Sequence, residues 1–279
     1  MPFFPSSGGV EVAAFDLGGE GPPLLFAHAT GFHGLVWRPM ADELEPSFQT
    51  FSFDERGHGD TRTPLPHDFD WHGFGDDVLA AVDGFGLEHP FGVGHSAGAA
   101  ALLMAEAARP GTFRALYLWE PVVMPVDPPL GPSDNPLSVG ALRRRAVFPS
   151  RDEAFANYAS KAPFSALRAD ALRAYVDHGF ADTADGQVTL KCRPEDEAQI
   201  YRMGSAHRAF SRFDDIRCPA VVACGADTDA FGPELIELQA ARLPHAHTEV
   251  LPGLGHFGPL QDPAAVAAAV RRAFAAEDG

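Results

Sequence analysis

Mainly apolar runs three to seven residues long recur along the chain, and each ends in a cluster of glycine, histidine or acidic residues. Leu24-Leu25-Phe26-Ala27 leads into His28-Ala29-Thr30-Gly31, and Thr50-Phe51-Ser52-Phe53 into Asp54-Glu55-Arg56-Gly57-His58-Gly59. Phe91-Gly92-Val93 leads into Gly94-His95-Ser96-Ala97-Gly98, and Phe113 to Trp119 into Glu120. Ala220 to Cys224 runs into Gly225-Ala226-Asp227-Thr228-Asp229, and Thr248 to Leu251 into Pro252-Gly253-Leu254-Gly255-His256-Phe257. The continuous run Leu24 to Ala27 fits a strand buried on both faces, and Phe113 to Trp119 reads as another buried strand. Another strand covers Val10 to Leu17 and turns at Gly-Gly-Glu-Gly-Pro-Pro.

Helical spacing separates these runs at Val36 to Leu44, Asp70 to Phe85 with Asp70 as a cap, Ser96 to Arg109, Glu234 to Arg242 and Ala264 to Ala276. Strands alternating with helices predict an α/β fold, a mostly parallel central sheet with helices on both faces. The alternation stops after Glu120. Residues 125–213 turn Pro-rich and then helical, at Ala141 to Val147, Arg151 to Ser160 and Arg168 to His178, with little strand character. The expected organisation is a core of residues 1–124 and 214–279 interrupted by a helical cap, or lid, of residues 125–213.

Charge sharpens that boundary. Residues 125–217 carry thirteen basic and thirteen acidic side chains, so the whole excess of -17 lies outside them, where eight basic face 25 acidic. Such an excess repels nucleic acid and anionic membranes, leaving a small-molecule substrate as the expected partner. The 279 residues, 46% hydrophobic, suffice for a large core. Three scattered cysteines form neither a disulfide framework nor a metal pair, and no run approaches the ~20 apolar residues of a membrane span. A soluble, cytoplasmic protein is expected; oligomeric state is left open.

The chemistry centres on Ser96. Glycines two positions to either side permit close backbone contacts in a sharp turn, leaving the hydroxyl at its tip and a helix N-terminus behind it, which favours a developing oxyanion. A serine needs a base, and the base needs an orienting acid. His256, in a Gly-rich loop after the last strand, is the candidate base. Asp229 is favoured as the acid over Asp227; Glu120 is an alternative, for which a structural hydrogen bond is the preferred role. Arg143-Arg144-Arg145 fits a solvated helix face, and would also suit an anionic substrate.

These ordered motifs resemble the α/β-hydrolase family, serine-nucleophile branch, over nearly everything outside the cap. The resemblance implies Ser96 as nucleophile, His256 as general base and acid, Asp229 as orienting carboxylate, and the backbone N–H groups of Thr30 and Ala97 as the oxyanion hole. His28-Ala29 departs from the His-Gly of many relatives. Phe32, His95 and Phe257 are candidate substrate contacts. The resemblance implies no cofactor and no metal. The expected function is hydrolysis of a carboxylic ester or lactone of small to medium, partly hydrophobic character through an acyl-enzyme. Thioesterase, amidase and C–C bond hydrolysis use the same apparatus. A ligand receptor on this scaffold and a cofactor-free oxygenase or perhydrolase are the alternatives from other classes.

Overall fold

Hydrogen bonding gathers the apolar runs into one eight-stranded sheet in the computed structural model, which describes residues 1–67 and 69–275. In chain order the strands are β1 (Phe3–Pro5), β2 (Glu11–Gly18), β3 (Pro23–Ala27), β4 (Gln49–Phe53), β5 (Phe91–His95), β6 (Leu116–Trp119), β7 (Val147–Phe148), β8 (Phe180–Asp182), β9 (Val188–Leu190), β10 (Ala220–Gly225) and β11 (Ala246–Leu251). The large sheet runs β1-β2-β4-β3-β5-β6-β10-β11; β1 and β2 are antiparallel and the other six parallel. Every residue of β5, β6 and β10 is buried, as expected of inner parallel strands covered on both faces. β11, at the edge, is largely half-exposed.

The helices are α1 (Arg38–Leu44), α2 (His72–Phe85), α3 (Ala97–Ala108), α4 (Pro136–Ala141), α5 (Arg151–Ala159), α6 (Ala169–Gly179), α7 (Pro194–Met203), α8 (Pro233–Ala240), α9 (Gly258–Gln261) and α10 (Pro263–Ala275). Phe74, Val78, Leu102 and Ile236 from α2, α3 and α8 join the core on one face of the sheet. Met40, Val266 and Val270 from α1 and α10 join the other, where Trp37 stacks on Phe26 of β3 at 4.8 Å. This is the expected α/β architecture. The last helix was expected to reach Ala276, which lies outside the described residues. No helix among the described residues is long and apolar enough to cross a membrane.

The segment between β6 and β10, expected to be Pro-rich and then helical with little strand character, carries three strands as well. Helices α5 and α6 stand where expected, but α4 ends at Ala141, and β7 pairs with β9 in a three-stranded antiparallel sheet ordered β7-β9-β8. The expected helix over Ala141 to Val147 is therefore not found beyond Ala141, the last residue of α4. Val147 and Phe148 take their register from Thr189 and Val188, partners forty residues away that local spacing does not reveal. The segment is tied to loops of the large sheet by Lys191 with Asp60 at 2.8 Å, His67 with Asp196 at 2.8 Å, and Trp71 Nε1 donating to the Ile200 carbonyl at 3.1 Å.

Candidate active site

Ser96 occupies the one-residue turn between β5 and α3, with φ 56° and ψ -111°, a conformation that costs a non-glycine residue free energy and that clusters at functional sites. The flanking glycines are required by contact. A Cβ on Gly94 would come 2.5 Å from the Ala99 Cα, and one on Gly98 2.3 Å from the Ala27 carbonyl oxygen. The Ser96 N–H donates to the Trp119 carbonyl at 2.9 Å, which sets the turn beside the end of β6. Ser96 is 8% exposed.

Glu120, the next residue after β6, also has a positive φ, 46°, and is fully buried. Its Oε2 accepts from His256 Nδ1 at 2.7 Å, from the Thr228 hydroxyl at 2.8 Å and from the Phe231 N–H at 3.2 Å, while Oε1 accepts from the Gly225 N–H at 3.2 Å. The His256 carbonyl accepts from Trp119 Nε1 at 2.9 Å, which pins the loop after β11 to the neighbour of Glu120. The structure thus brings His256 to Glu120, and to neither aspartate of the β10 loop. Asp229 and Asp227 are exposed and make no hydrogen bond or ion pair with His256. The expectation that favoured Asp229 is corrected on geometry. The loop after β10 lends its backbone and Thr228 to the carboxylate of the adjacent strand, and its own carboxylates face away into water. The signal was present in the sequence: an acid directly after Leu-Tyr-Leu-Trp, at the C-terminal end of the strand next to Ser96.

The loop after β3 supplies the other side. Among the described residues the N–H groups of Thr30 and Ala97 have no hydrogen-bond partner, Ala97 being the first residue of α3, whose leading amides are free by helix geometry. Next to Thr30, the Gly31 N–H donates to His58 Nε2 at 2.9 Å. Phe32 packs with Tyr175 at 5.0 Å, Phe257 at 5.6 Å and Phe164 at 5.8 Å between ring centroids, forming an aromatic wall shared with the segment between β6 and β10. His95 is buried against His256 and Phe257, at 4.9 and 5.7 Å. Burial and the nearby His256 hold its pKa well below the ordinary value, so it stays neutral.

Other candidates resolve into supports. Asp54 accepts from the Gly34 and Asp60 N–H groups, each at 2.7 Å, and Arg56 pairs with the buried Asp77 at 2.8 Å, bracing the loop after β4. His28, Glu55 and His58 are close enough together to suggest a metal site. The rings do not fit one: His28 Nε2 accepts from the Glu55 N–H and His58 Nε2 from the Gly31 N–H, while each Nδ1–H donates to a carbonyl. No ring lone pair is left for an ion. Arg144, expected on a solvated face, is instead mostly buried, donating to Glu197 at 2.5 Å and to the Tyr175 and Tyr158 hydroxyls at 2.5 and 3.1 Å. A surface depression of about 310 Å³ lined by Leu116, Val221, Glu249 and Arg272 lies at the opposite ends of the strands and shares no residue with Ser96, Glu120 or His256.

A family model described as "Alpha/beta hydrolase family" matches residues 24–269, almost the whole chain. This chain belongs to that family. The hydrolase is 24% identical over 244 residues to 2-(acetamidomethylene)succinate hydrolase of Mesorhizobium japonicum, covering 86% of this chain and 83% of the relative. It is 25% identical over 248 residues to a putative carbamate hydrolase of Escherichia coli, with 88% of each covered. A crystal structure of E-2-(acetamidomethylene)succinate hydrolase superposes with a TM-score of 0.80 at 22% identity, over 98% of this chain and 99% of that one. The fold is therefore shared across the full length, while the substrates named for the two relatives differ.

Proposed function

We propose that this hydrolase cleaves a carboxylic ester or lactone through an acyl-enzyme on Ser96, with His256 as general base and Glu120 as the orienting acid. The observation that carries the proposal is the 2.7 Å bond from His256 Nδ1 to the buried Glu120 beside the strained serine turn. With Nδ1–H held by a carboxylate, the imidazole presents Nε2 as the basic nitrogen. It takes the Ser96 proton as the hydroxyl attacks, and the pairing stabilises the imidazolium that forms. The Thr30 and Ala97 N–H groups receive the oxyanion of the tetrahedral intermediate. Collapse expels the alcohol, protonated by His256, and water then takes the same path to release the acid.

The segment of residues 125–213 acts as a cap that contributes Phe164 and Tyr175 to the aromatic wall, which supports a medium-sized, partly apolar substrate. The relatives supply a second reading, an amide or carbamate carbonyl, since the named substrates are 2-(acetamidomethylene)succinate and a carbamate. Initial rates on matched p-nitrophenyl esters, lactones, anilides and carbamates test the pair. Ester or lactone turnover that Ser96→Ala removes supports the first reading. Turnover of the nitrogen leaving groups alone supports the second, and stoichiometric binding without turnover rejects both in favour of a receptor.

A further inference from the structure

The β10 loop, which carries no acid to His256, still reaches the site through one side chain. The Thr228 hydroxyl lies 2.8 Å from Glu120 Oε2, the same oxygen that accepts from His256. Its own oxygen accepts from the Ala230 N–H at 3.2 Å, which leaves the hydroxyl hydrogen directed at Glu120. A chain therefore runs from the Ala230 amide through Thr228 to the carboxylate, each link polarising the next. The Phe231 and Gly225 amides complete a four-donor cradle around a group with no access to water.

We propose that Thr228 is a positioning residue: bound to the oxygen that holds His256, it fixes the Glu120 carboxylate and, by drawing charge from that oxygen, limits the basicity of His256. This rests on the catalytic roles proposed above for Ser96, His256 and Glu120. Two opposed effects follow. Without the hydroxyl the carboxylate loses one of three bonds on Oε2 and turns more freely, so fewer imidazoles are correctly aimed. At the same time Oε2 keeps more negative charge for the His256 Nδ1–H, so the imidazolium is favoured and the base is protonated at a higher pH.

The experiment compares native protein with Thr228→Val, Thr228→Ala and Thr228→Ser, using rates of Ser96 labelling by a fluorophosphonate and pH profiles of kcat/KM on the best ester. Thermal melting first selects the variants that are folded; valine keeps the shape of threonine, and alanine serves if valine does not fold. The expected result is a fall of about tenfold in kcat with KM within about twofold, an acidic limb displaced to higher pH, and recovery by serine. A folded valine or alanine variant with native kcat, or an acidic limb that stays or moves to lower pH, overturns the assignment of Thr228. Native protein that fails to label at Ser96 overturns the catalytic reading itself, so the two failures are distinct.

Discussion

The two loop clusters flanking Ser96 both carry histidines at strand ends and use them in opposite ways. On the β3 and β4 side, His28 and His58 have both ring nitrogens bonded to backbone, one as donor to a carbonyl and one as acceptor from an amide. His33 lies there too, bonded to the Tyr175 carbonyl. These rings are neutral: burial lowers His58 to about 4 and His33 to about 3. On the β6, β10 and β11 side, His256 gives Nδ1 to a carboxylate. A histidine that bridges backbone groups is a strut, because protonation would break a bond it already makes. One held by a carboxylate at a single nitrogen can accept a proton at the other, and its partner then stabilises the charge.

The largest expected effects break the comparison outright. Ser96→Ala should lower kcat/KM by about 10⁴-fold or more with a native melting temperature, since the Ser96 hydroxyl makes no hydrogen bond among the described residues. Glu120→Gln should cost about 10³- to 10⁴-fold in kcat by leaving His256 in the wrong tautomer, whereas Asp229→Asn and Asp227→Asn should remain within about twofold. A large loss in Asp229→Asn with an active Glu120→Gln would return the acid to the β10 loop.

A smaller effect sharpens it. His58→Leu strands the Gly31 N–H and the Arg56 carbonyl, so about 2 kcal/mol of stability should be lost, measured by urea unfolding. Activity should fall only about tenfold, through loosening of the loop that carries Thr30. His256→Ala should do the reverse, abolishing turnover with little change in the unfolding midpoint.

Why Ser96 and His256 stand out in the sequence, while Glu120 ranks behind both Asp229 and Asp227 as an acid, follows from the range of the interactions. The serine turn is local: Gly94 and Gly98 are demanded by contacts within a few residues and with β3, and the pentapeptide displays them. His256 stands in a loop whose place after the last strand is set by chain order. Glu120 acquires its partners only when β6 lies between β5 and β10, an adjacency between segments about a hundred residues apart. The β10 loop, read by itself, offers two aspartates and conceals that Thr228 and two amides point to another strand. The same reasoning covers Arg144, solvated by its local charge run but buried by Tyr158, Tyr175 and Glu197 from α5, α6 and α7.

Acid unfolding gives the smallest and most selective test. An ordinary histidine takes up its proton near 6.5, and burial moves His58 to about 4. Between these values the unfolded chain binds a proton that the folded protein does not, so lowering the pH through this window destabilises the fold. Asp54, raised to about 7 by burial, works the other way: the folded protein keeps its proton between about 4 and 7 where the unfolded chain has lost it, so this group favours the fold as the pH falls. The net slope mixes both signs, and the informative quantity is the difference between proteins. From pH 6.5 to 5 the native protein should lose about 1.6 kcal/mol more than His58→Leu, which has no such ring to titrate, while Ser96→Ala should follow the native curve. Parallel curves for native and His58→Leu would mean that His58 takes up protons as freely in the fold as outside it. It would then not be the neutral acceptor that the Gly31 amide requires, and the contrast between strut and base would fail on the side where it is drawn most firmly.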